Sequence, residues 1–542
     1  MKKLAFSPDS WPVLSALLML AAAYLPALGA PFVWDDLGWI LFNRSLDQPI
    51  PLSGYLGNEY FSLSGETSWR PLATLTYNAL SLAAGKSPLA FRSLSLLLHL
   101  LAASLYLRLL IGSGLPFSAA AMAAALFMVH PANVETLMCA SFNEELLVAC
   151  ALLGMVVAHR AGKPLLAGVA FLAGLLSKET AVLGLPLVFL YDWSHKGLSA
   201  CKRSFPAYIS YTVVAVAFGW FSVFGLSAPG MQAKAAVPVF DRLCFALESL
   251  WAFVRVQVLP LGLRIEYFAL PTDSTSKALG LTAFAAGVAV AAGLVLRKLW
   301  RGPEKRPWAF YLAWPFLFWF VSSGAAPAGV LTTRLLAERW LYLPMLGSAA
   351  LAALALQRRP KVSAAVLACL GILMFARTRD WADERRLWGS LVRQYPWSAK
   401  AHEGLGDACS HFRDYGPALA SYEEALRLRE TRQDPLLRYY VPISGGRLNW
   451  QSPSLRRSLG GGYFRAGAFS RAEPHLAKAI ELDPRDPFAY RLLGYLRARQ
   501  GRFAEARRWA DQGLSKNPQD EFLLRLAKDA GAKRLTFQPR MD

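Results

Sequence analysis

The chain has 542 residues, is 54% hydrophobic and carries a formal net charge of +21. Its apolar residues form blocks of membrane-spanning length. Much of the basic excess lies in short loops between those blocks, which argues against one continuous nucleic-acid-binding face. The six cysteines have neither paired nor metal-ligand spacing, so neither a disulfide framework nor a zinc site is predicted.

Apolar segments that could cross a membrane recur along the first two thirds of the chain. The first follows MKK, and we interpret it as a retained span because no small-residue cleavage site precedes the acidic pair after it. Length and hydropathy predict about eleven spans. These are residues 11–30, 89–110, 115–130, 139–158, 164–177, 180–193, 206–228, 277–297, 308–325, 339–357 and 361–377.

The basic loops between these segments predict the topology. Loops rich in Lys and Arg favour the cytosolic side, which also places the N-terminus there. An odd number of spans then places everything after residue 377 outside the cytosol, so we predict a membrane domain over 1–378 and an extracytoplasmic domain over 379–542. The loops that agree on this topology are 159–163, 195–203, 297–306 and 357–361.

The same topology brings the polar outer loops to one side of the membrane. Within the longer loops, an amphipathic run over 241–263 is predicted to lie in the interface plane, where it could roof a site. The outward-facing stretches are 31–88, 130–138, 177–180, 229–276 and 332–339.

The tail is mostly polar and contains a repeat of about 34 residues, the tetratricopeptide period. The pattern of 459–484 recurs over 493–518, with small residues at the helix crossings and Pro at the repeat ends. An earlier copy, 405–426, is separated from these by the insertion 432–451, and a helix over 381–395 is predicted to cap the stack. We predict about three repeats forming an α-solenoid with a concave binding face.

Asp35 and Asp36, in PFVWDDLGWILFN, follow the first apolar segment. The functional interpretation is a catalytic base at the outer membrane face, where one carboxylate takes a proton from an acceptor hydroxyl and its neighbour tunes it. The alternative is a solvated or helix-capping pair just beyond a span.

A second polar group lies where the chain turns back into the membrane, over 128–147. His130 ends a span, Pro131 breaks the helix, and Glu135 and Glu145 flank the start of the next helix. These side chains could bind a phosphate, a sugar or a metal, of which metal is the weakest choice because no second His lies at ligand spacing. The alternative is a polar helix turn with Glu135 near a positive helix N-terminus.

Ionisable residues in the remaining outer loops are candidates for binding a donor. Arginine can hold a phosphate in a bidentate manner, whereas the alternatives are internal ion pairs, exposed turns or snorkelling to lipid headgroups. With the acidic pair they predict an outward-facing cavity for a lipid-borne donor whose leaving group is a phosphate or diphosphate. The candidates are Arg70, Lys178, Glu179, Arg334, Glu338 and Arg339.

Several stretches, in this order, resemble the transmembrane and tetratricopeptide-repeat-containing glycosyltransferases, a GT-C family with bacterial members. The patterns HPxxxE and AERxLYLP are the more specific ones, and the resemblance extends from about residue 11 to 518. The stretches are FVWDDLGWILFN, RPLATLTYNAL, LFMVHPANVET, LLSKETAVLGLPLVFLYDW, VLPLGLRIEY and AERWLYLPMLG, followed by the repeats.

The resemblance implies an all-α, polytopic GT-C fold with about 11 transmembrane helices, followed by an extracytoplasmic tetratricopeptide solenoid. It also implies a catalytic centre at Asp35 and Asp36 and inverting transfer of one sugar from a polyprenyl-phosphate donor. In eukaryotic members the donor is dolichyl-phosphate mannose and the acceptor is a protein hydroxyl. Relatives usually carry Arg where this chain has Asn143, so either the donor differs or another basic residue, such as Arg70 or Arg334, takes its place.

We therefore predict a membrane glycosyltransferase of the bacterial cytoplasmic (inner) membrane with its repeats outside the cytosol. The predicted partners are a lipid-linked sugar donor, membrane lipids and an acceptor protein recruited by the repeats, with no nucleic acid. No particular cofactor is predicted; the acidic pair and a lipid phosphate could bind a divalent cation or work without one. The alternatives are a membrane-anchored repeat scaffold for an envelope or secretion complex, and a GT-C enzyme that modifies a lipid or polysaccharide.

Overall fold

A computed structural model of the chain describes residues 10–66, 68–226, 239–268, 275–302, 306–323, 334–435 and 452–537. These residues form two compact units, of which the first ends at Asp383 and the second starts at Glu384. The boundary predicted from the sequence lies between residues 378 and 379. Most of the predicted insertion, from residue 436 to 451, lies outside the described residues, as do parts of the outer loops 229–276 and 332–339.

Helices account for nearly all of the regular structure in the first unit. Its earlier helices are α1 (Trp11–Tyr24), α2 (Leu52–Leu56), α3 (Tyr60–Ser64), α4 (Pro71–Ala84), α5 (Pro88–Gly112), α6 (Phe117–Val129), α7 (Val134–Met138), α8 (Asn143–Arg160), α9 (Pro164–Ser177) and α10 (Gly184–Lys196). Its later helices are α11 (Leu198–Arg203), α12 (Phe205–Trp220), α13 (Val239–Val258), α14 (Thr275–Arg301), α15 (Pro307–Ser322), α16 (Tyr342–Leu356) and α17 (Pro360–Trp381).

Short 3₁₀ and π turns connect several of these helices. The 3₁₀ turn Glu179–Leu183 leads directly into α10, and the 3₁₀ turn Glu338–Leu341 leads directly into α16. One small sheet is described, in which β1 (Tyr267–Phe268) pairs antiparallel with β2 (Arg334–Leu336). The remaining turns are Leu25–Ala27, Leu37–Leu41, Arg44–Asp47, Pro131–Asn133, Ala140–Phe142 and Phe221–Gly225.

The predicted all-helical, membrane-spanning architecture is confirmed. A helix occupies each of the eleven apolar segments expected from the sequence. By length and composition, six helices among the described residues could cross a membrane, or seven if a bent pair counts as one span. Two further apolar helices, Trp11–Ala27 and Pro164–Ser177, are shorter than that test requires. The chain is therefore a multi-pass protein, with fewer unambiguous spans than the sequence predicts.

Proline sets where several of these helices begin and bend. The helices α4, α5, α9, α15 and α17 each start at a proline, whose fixed φ suits the first helical position. Between α6 and α7 the chain bends by 50° at His130 and Pro131. Pro131 has no N–H for the i→i−4 hydrogen bond, so the apolar helix ends there and the polar HPANVE turn continues in a new direction.

A glycine allows close approach of two helices that end at the polar outer turns. A Cβ at Gly347 on α16 would lie 2.6 Å from the Tyr311 carbonyl oxygen and 2.6 Å from Pro315 Cδ on α15. Small residues at such crossings let membrane helices pack backbone to backbone.

We expect Gly347→Ala to destabilise the protein by about 1–3 kcal/mol, because backbone and a proline ring must move to admit the methyl group. The measurement is the apparent Tm of the purified chain in detergent. Gly287→Ala on α14 is the matched control, since nothing lies within 4 Å of the Cβ position there. Equal Tm values for the two variants would show that the α15–α16 crossing is looser than described.

The second unit consists of stacked helix pairs. Its helices are α18 (Glu384–Gln394), α19 (Ala399–His411), α20 (Tyr415–Glu430), α21 (Pro453–Arg465), α22 (Phe469–Leu482), α23 (Pro487–Arg499), α24 (Phe503–Leu514) and α25 (Glu521–Gly531). Helices α19–α20, α21–α22 and α23–α24 are the three predicted pairs, and α18 packs on the first of them. The Leu-Gly pattern marks tight crossings, since a Cβ at Gly460 would lie 2.6 Å from Leu476.

The first helices of the pairs form one face of this unit. Successive first helices (α19, α21, α23 and α25) contact one another more extensively than successive second helices do. In a curved stack the helices on the concave side lie closer together, so we call this surface the inner face. A row of aromatic rings runs through the core between these helices, where the buried Tyr495 lies 6.0 Å from the buried Phe464 and 6.5 Å from Phe522 between ring centroids.

Candidate active site

The acidic pair after α1 is divided between two environments. Asp36 is completely buried, and its Oδ1 accepts a hydrogen bond from the Ser141 backbone N–H at 2.8 Å and one from the Cys139 thiol at 3.4 Å. Asp35 is half-buried and lines a cavity. The two neighbouring carboxylates, which the sequence could not tell apart, therefore face in different directions.

The backbone just before this pair has an unusual conformation. Trp34 has φ +52°, in the left-handed region that residues with a side chain seldom adopt. Its ring packs 5.8 Å from Phe142 and 5.9 Å from Trp381 between centroids. Such conformations cost on the order of 1–3 kcal/mol and concentrate at functional sites, where surrounding packing maintains them. The packing of Trp34 therefore fixes the backbone conformation directly before Asp35 and Asp36.

A buried arginine anchors the segment that carries the acidic pair. Arg92 on α5 is fully buried; its Nε donates to the Met138 carbonyl at 2.9 Å, and Nη2 donates to the Pro31 carbonyl at 2.7 Å. It also donates to the carbonyls of Ala27 and Ala30. One guanidinium thus joins the end of the first helix to the end of α7, next to Asp36.

Burial raises the pKa of Asp36, while the charge of Arg92 and the hydrogen bond from Ser141 act in the opposite direction. Its second oxygen, Oδ2, is buried and has no hydrogen-bond partner among the described residues. A carboxyl group in this position is more easily protonated than an ordinary aspartate, since the charged form is poorly solvated.

The cavity next to Asp35 has a volume of about 590 Å³, which is within the usual range for a small-molecule site. It is built from the segment after α1, the loop before α4, the beginning of α8 and the two turns before α10 and α16, with the end of α15. Its charged lining residues are Asp35, Glu66, Arg70, Glu144, Glu145, Lys178, Glu179 and Arg339.

Ion pairs connect most of these charged groups. Lys178 donates from Nζ to Glu144 at 2.8 Å and to Glu145 at 2.5 Å. Arg70 donates from Nη1 to Glu144 at 2.6 Å, and its Nε and Nη2 hold both oxygens of Glu179 at 3.1 and 2.9 Å. Glu144 therefore links the lysine and the arginine, and residues more than a hundred positions apart meet in one network.

The charge of the cavity depends on Glu66. Burial and the nearby charge of Glu144 raise the pKa of Glu66 to about 8. At neutral pH Glu66 is therefore mostly protonated, while the other acidic side chains of the lining, Asp35, Glu144, Glu145 and Glu179, lie among the three basic ones, Arg70, Lys178 and Arg339. Above pH 8 the balance becomes more negative.

Arg339 occupies the wall of the cavity near the acidic pair. Its Nη1 donates to Glu135 Oε1, and its backbone N–H donates to Glu135 Oε2 at 3.1 Å. The guanidinium carbon lies 4.1 Å from the ring centroid of Phe142 and 5.5 Å from that of Trp34. Glu135 is fully buried and does not line the cavity, so its described contacts position Arg339.

The structure places Glu338 away from the cavity. Glu338 is completely buried and holds Arg377 of α17, whose Nη2 lies 3.1 Å from each carboxylate oxygen. The same carboxylate accepts from the Tyr267 hydroxyl at 3.1 Å and from the Arg264 backbone N–H at 2.5 Å. For Arg334 only the backbone, in β2, is described, and its predicted role in donor binding lies outside the described side chains.

His130 lies at a second, mostly apolar cavity of about 360 Å³. Its Nε2 lies 3.3 Å from the Gln257 carbonyl on α13, and its Nδ1 accepts from the Ala132 backbone N–H. Helices α13, α15, α16 and α17 line this space. Four residues of the amphipathic 241–263 run, Phe253, Val254, Gln257 and Val258, line the second cavity, and none of its described residues lines the first.

Asn143, where relatives usually carry Arg, does not line the first cavity. It is fully buried, and its Oδ1 accepts a hydrogen bond from Ser95 of α5 at 2.6 Å. In this chain the position contacts a neighbouring helix, and Arg70 is the arginine that reaches Glu144 at the start of α8.

Several residues at this site were not predicted from the sequence. Glu66 and Glu144 line the cavity, Ser141 and Arg92 hold the acidic pair, and Arg377 holds Glu338. An arginine inside an otherwise apolar span, as in FRSLSLLLHLL, is the signal that could have drawn attention to Arg92. No comparable local signal distinguishes the others.

Among the described residues, no group of three or more His, Cys, Asp or Glu side chains is arranged to hold a metal ion. Three carboxylates of the cavity, Glu144, Glu145 and Glu179, form ion pairs with Arg70 and Lys178. Binding of a divalent cation together with a lipid phosphate stays a prediction from the sequence.

The fold and the site define a multi-pass, all-helical membrane protein with tetratricopeptide repeats and a charged cavity bounded by an acidic loop after its first helix. A tetratricopeptide-repeat family model matches residues 463–528, which confirms the two later of the predicted repeats.

The curated relatives are protein O-mannosyl-transferases. Tmtc1 of Drosophila melanogaster is 34% identical over 182 residues, which are 31% of this chain and 21% of that protein. F38B6.6 of Caenorhabditis elegans is 25% identical over 409 residues, 71% of this chain and 58% of that protein. The chain thus spans about a fifth to three fifths of the relatives it matches. They confirm the resemblance to the transmembrane and tetratricopeptide-repeat-containing glycosyltransferases.

Among solved structures, the chain is similar to ArnT from Cupriavidus metallidurans, crystallised with bound undecaprenyl phosphate. The identity is 15% and the TM-score 0.38, over 84% of this chain and 80% of that one.

Proposed function

We propose that the chain is an inverting GT-C glycosyltransferase that moves a single sugar from a polyprenyl-phosphate donor to a protein hydroxyl. The observation that carries this proposal is one cavity lined by Asp35 and by three cationic side chains, Arg70, Lys178 and Arg339. A base and phosphate-binding cations are what direct displacement of a lipid phosphate requires. The kinship with protein O-mannosyl-transferases supports mannose as the first sugar to test.

Asp35 is the base in this proposal. Its carboxylate lines the cavity, whereas that of Asp36 is buried and bound to Ser141 and Cys139. A base must reach the proton that it removes, so Asp36 acts as a positioning residue that fixes the backbone turn. Arg92 also fixes this turn, because its guanidinium donates to the Pro31 carbonyl just before it.

Arg339 binds the leaving phosphate in this proposal. It lines the cavity beside the acidic pair, and Glu135 and Phe142 hold its guanidinium in place. Lys178 and Arg70 contact carboxylates that themselves line the cavity, whereas Glu135, the partner of Arg339, does not line it; Lys178 and Arg70 therefore orient the cavity wall and balance its charge. A preorganised cation beside the base stabilises the charge that develops on the departing phosphate.

The reaction is a single displacement. The acceptor oxygen attacks the anomeric carbon, the bond from that carbon to the phosphate oxygen breaks, and Asp35 takes the hydroxyl proton. Polyprenyl phosphate leaves with the bonding electron pair, and the anomeric configuration inverts. Neither an oxidant nor a cofactor enters this balance.

We place the cavity and the repeats on the extracytoplasmic side of a bacterial cytoplasmic membrane, with the repeats recruiting the acceptor. The basic loops support this orientation through the preference of Lys and Arg for the cytosolic side. Modification of single engineered cysteines by a membrane-impermeant reagent in intact cells would test this orientation. Cysteines in 515–520 should react, and cysteines in 195–203 should be protected.

The test of the activity uses the purified full chain in proteoliposomes with radiolabelled polyprenyl-phosphate mannose and extracted envelope proteins. We expect label in protein and equimolar release of polyprenyl phosphate. Polyprenyl-phosphate glucose and galactosamine donors would test whether another sugar is used. Absence of transfer from all three donors, together with no saturable binding of polyprenyl phosphate, would contradict the proposal.

Glu66 should make donor binding depend on pH. Because its pKa lies at about 8, raising the pH through that value adds a negative charge next to Arg70. We expect the KM for the donor, a phosphodiester of constant charge, to rise about tenfold between pH 7 and pH 9.5. In Glu66→Gln this rise should be absent.

Glu59→Gln is the matched control for that experiment, since Glu59 is an exposed acid in the same outer loop. It should keep the rise in KM seen in the parent chain. A rise of equal size in Glu66→Gln would show that another group titrates in the cavity.

A further inference from the structure

The last described residues fold back onto the repeat unit. Residues 534–537 follow α25 without helical structure. The ring of Phe537 lies 4.9 Å from that of Phe522 on α25 and 6.0 Å from that of Tyr495 on α23, measured between centroids. Helix α23 is the first helix of the third pair and α25 packs on it as the next helix of the stack, so Phe537 extends the aromatic row of Phe464, Tyr495 and Phe522.

Asp529 binds the residue before this phenylalanine through both its main chain and its side chain. The Thr536 backbone N–H donates to Asp529 Oδ2 at 2.6 Å. The Thr536 hydroxyl lies 2.8 Å from Oδ2 and 3.0 Å from Oδ1 of the same carboxylate. A carboxylate that accepts from an amide and a hydroxyl of one residue selects serine or threonine there over a residue without a hydroxyl.

Arg525 contacts the other side of the segment. Its guanidinium carbon lies 4.7 Å from the ring centroid of Phe537, and Nη2 reaches the Thr536 carbonyl at 3.5 Å. A guanidinium over an aromatic face favours an aromatic residue at this position. We call the surface formed by Tyr495, Phe522, Arg525 and Asp529 the groove. Its contacts suit a hydroxyl residue followed by an aromatic one.

We propose that this groove is a peptide-binding site for an extended segment in which serine or threonine precedes an aromatic residue, and that residues 535–537 occupy it in cis. The recognition uses a main-chain amide, a main-chain carbonyl, a hydroxyl and a ring, all of which another polypeptide can present. Exposed hydroxyl residues are also what a protein glycosyltransferase must find. Only this last step, that the visiting peptide belongs to an acceptor, rests on the proposed function.

A purely local role as a helix cap accounts for only part of these contacts. Asp529 and Thr536 are seven residues apart, which is compatible with a cap at the end of α25. The contact of Phe537 with Tyr495, on the preceding helix pair, lies beyond what capping of α25 requires. That contact joins the segment to the aromatic row that includes Phe464.

Occupation in cis has a measurable consequence. A tethered segment competes at an effective concentration in the millimolar range, so a visiting peptide must displace it. Weakening the segment should therefore raise the affinity for a peptide of the same sequence. The double variant Thr536→Ala with Phe537→Ala removes the hydroxyl and the ring of the segment, which weakens its binding, and leaves Tyr495, Phe522, Arg525 and Asp529 unchanged.

The experiment measures fluorescence anisotropy of a labelled peptide RLTFQP with the full-length chain in nanodiscs. We expect the double variant to bind this peptide at least tenfold more tightly than the parent chain. Adding Asp529→Ala to the double variant should return binding to the parent level or below. Peptides with Val for Thr, or with Ala for Phe, should bind the double variant at least tenfold more weakly than RLTFQP.

Leu524→Ala, added to the double variant, is the matched control, since Leu524 is an exposed apolar residue on the same helix. It should leave peptide binding unchanged. If the segment is only a terminal cap, the double variant will lose thermal stability and bind the peptide no better than the parent, which would overturn the proposal. Binding should also persist in Asp35→Asn, so loss of sugar transfer and loss of peptide binding are separable.

Discussion

Asp35→Asn is expected to lower kcat for sugar transfer by about 10³-fold, because an amide cannot take the proton from the acceptor hydroxyl. The donor KM should change little, since the carboxylate acts on the acceptor. The measurement is transfer from polyprenyl-phosphate mannose in proteoliposomes, at matched protein abundance. Asp47→Asn, an exposed acid of the same outer loop, is the control and should keep full activity.

The neighbouring aspartate should respond differently. Asn at position 36 can still accept the Ser141 N–H, and burial already favours the neutral form of Asp36, so we expect Asp36→Asn to lose only about tenfold. Asp36→Leu removes the acceptor and should lose far more. A full loss in Asp36→Asn with normal transfer by Asp35→Asn would reverse the two roles.

Glu338→Ala is expected to destabilise the folded protein by about 3–5 kcal/mol, because it leaves the buried Arg377 guanidinium without its main partner. It also removes the acceptor for the Tyr267 hydroxyl and the Arg264 N–H. We expect a fall in apparent Tm of about 5 °C or more in detergent, and a matching loss of abundance in membranes.

Two comparisons separate stability from donor binding for Glu338. Glu248→Ala removes a partly exposed partner of Lys277, and such pairs contribute about 0–1 kcal/mol. The double variant Glu338→Met with Arg377→Met replaces the buried pair by apolar side chains and should recover much of the lost stability. A normal Tm in Glu338→Ala, combined with a raised donor KM, would instead support the donor-binding role predicted from the sequence.

The positions of the helices and repeats could be predicted because they depend on local patterns. Apolar blocks of spanning length, prolines at helix starts and a period of about 34 residues are visible within short windows of sequence. The predicted cavity residues were drawn from loops that the topology places on one side. Arg70, Glu145, Lys178, Glu179 and Arg339 do line one cavity with Asp35.

The ion-pair partners of these residues could not be predicted from short windows of sequence. Arg70 pairs with Glu144 and Glu179, and Glu338 pairs with Arg377; each pairing joins residues between 39 and 109 positions apart. Periodicity identifies that a residue is polar and faces outward, but it does not specify which opposite charge it meets.

The sequence by itself determined that this is a multi-pass helical protein with tetratricopeptide repeats and an acidic pair beyond its first apolar segment. Only the tertiary structure decided that Asp35 faces the cavity while Asp36 is buried, that Glu338 belongs to a buried ion pair, and that Thr536 binds Asp529. The reason is physical: hydropathy and helix period are properties of neighbouring residues, whereas burial and charge pairing depend on which distant segments pack together.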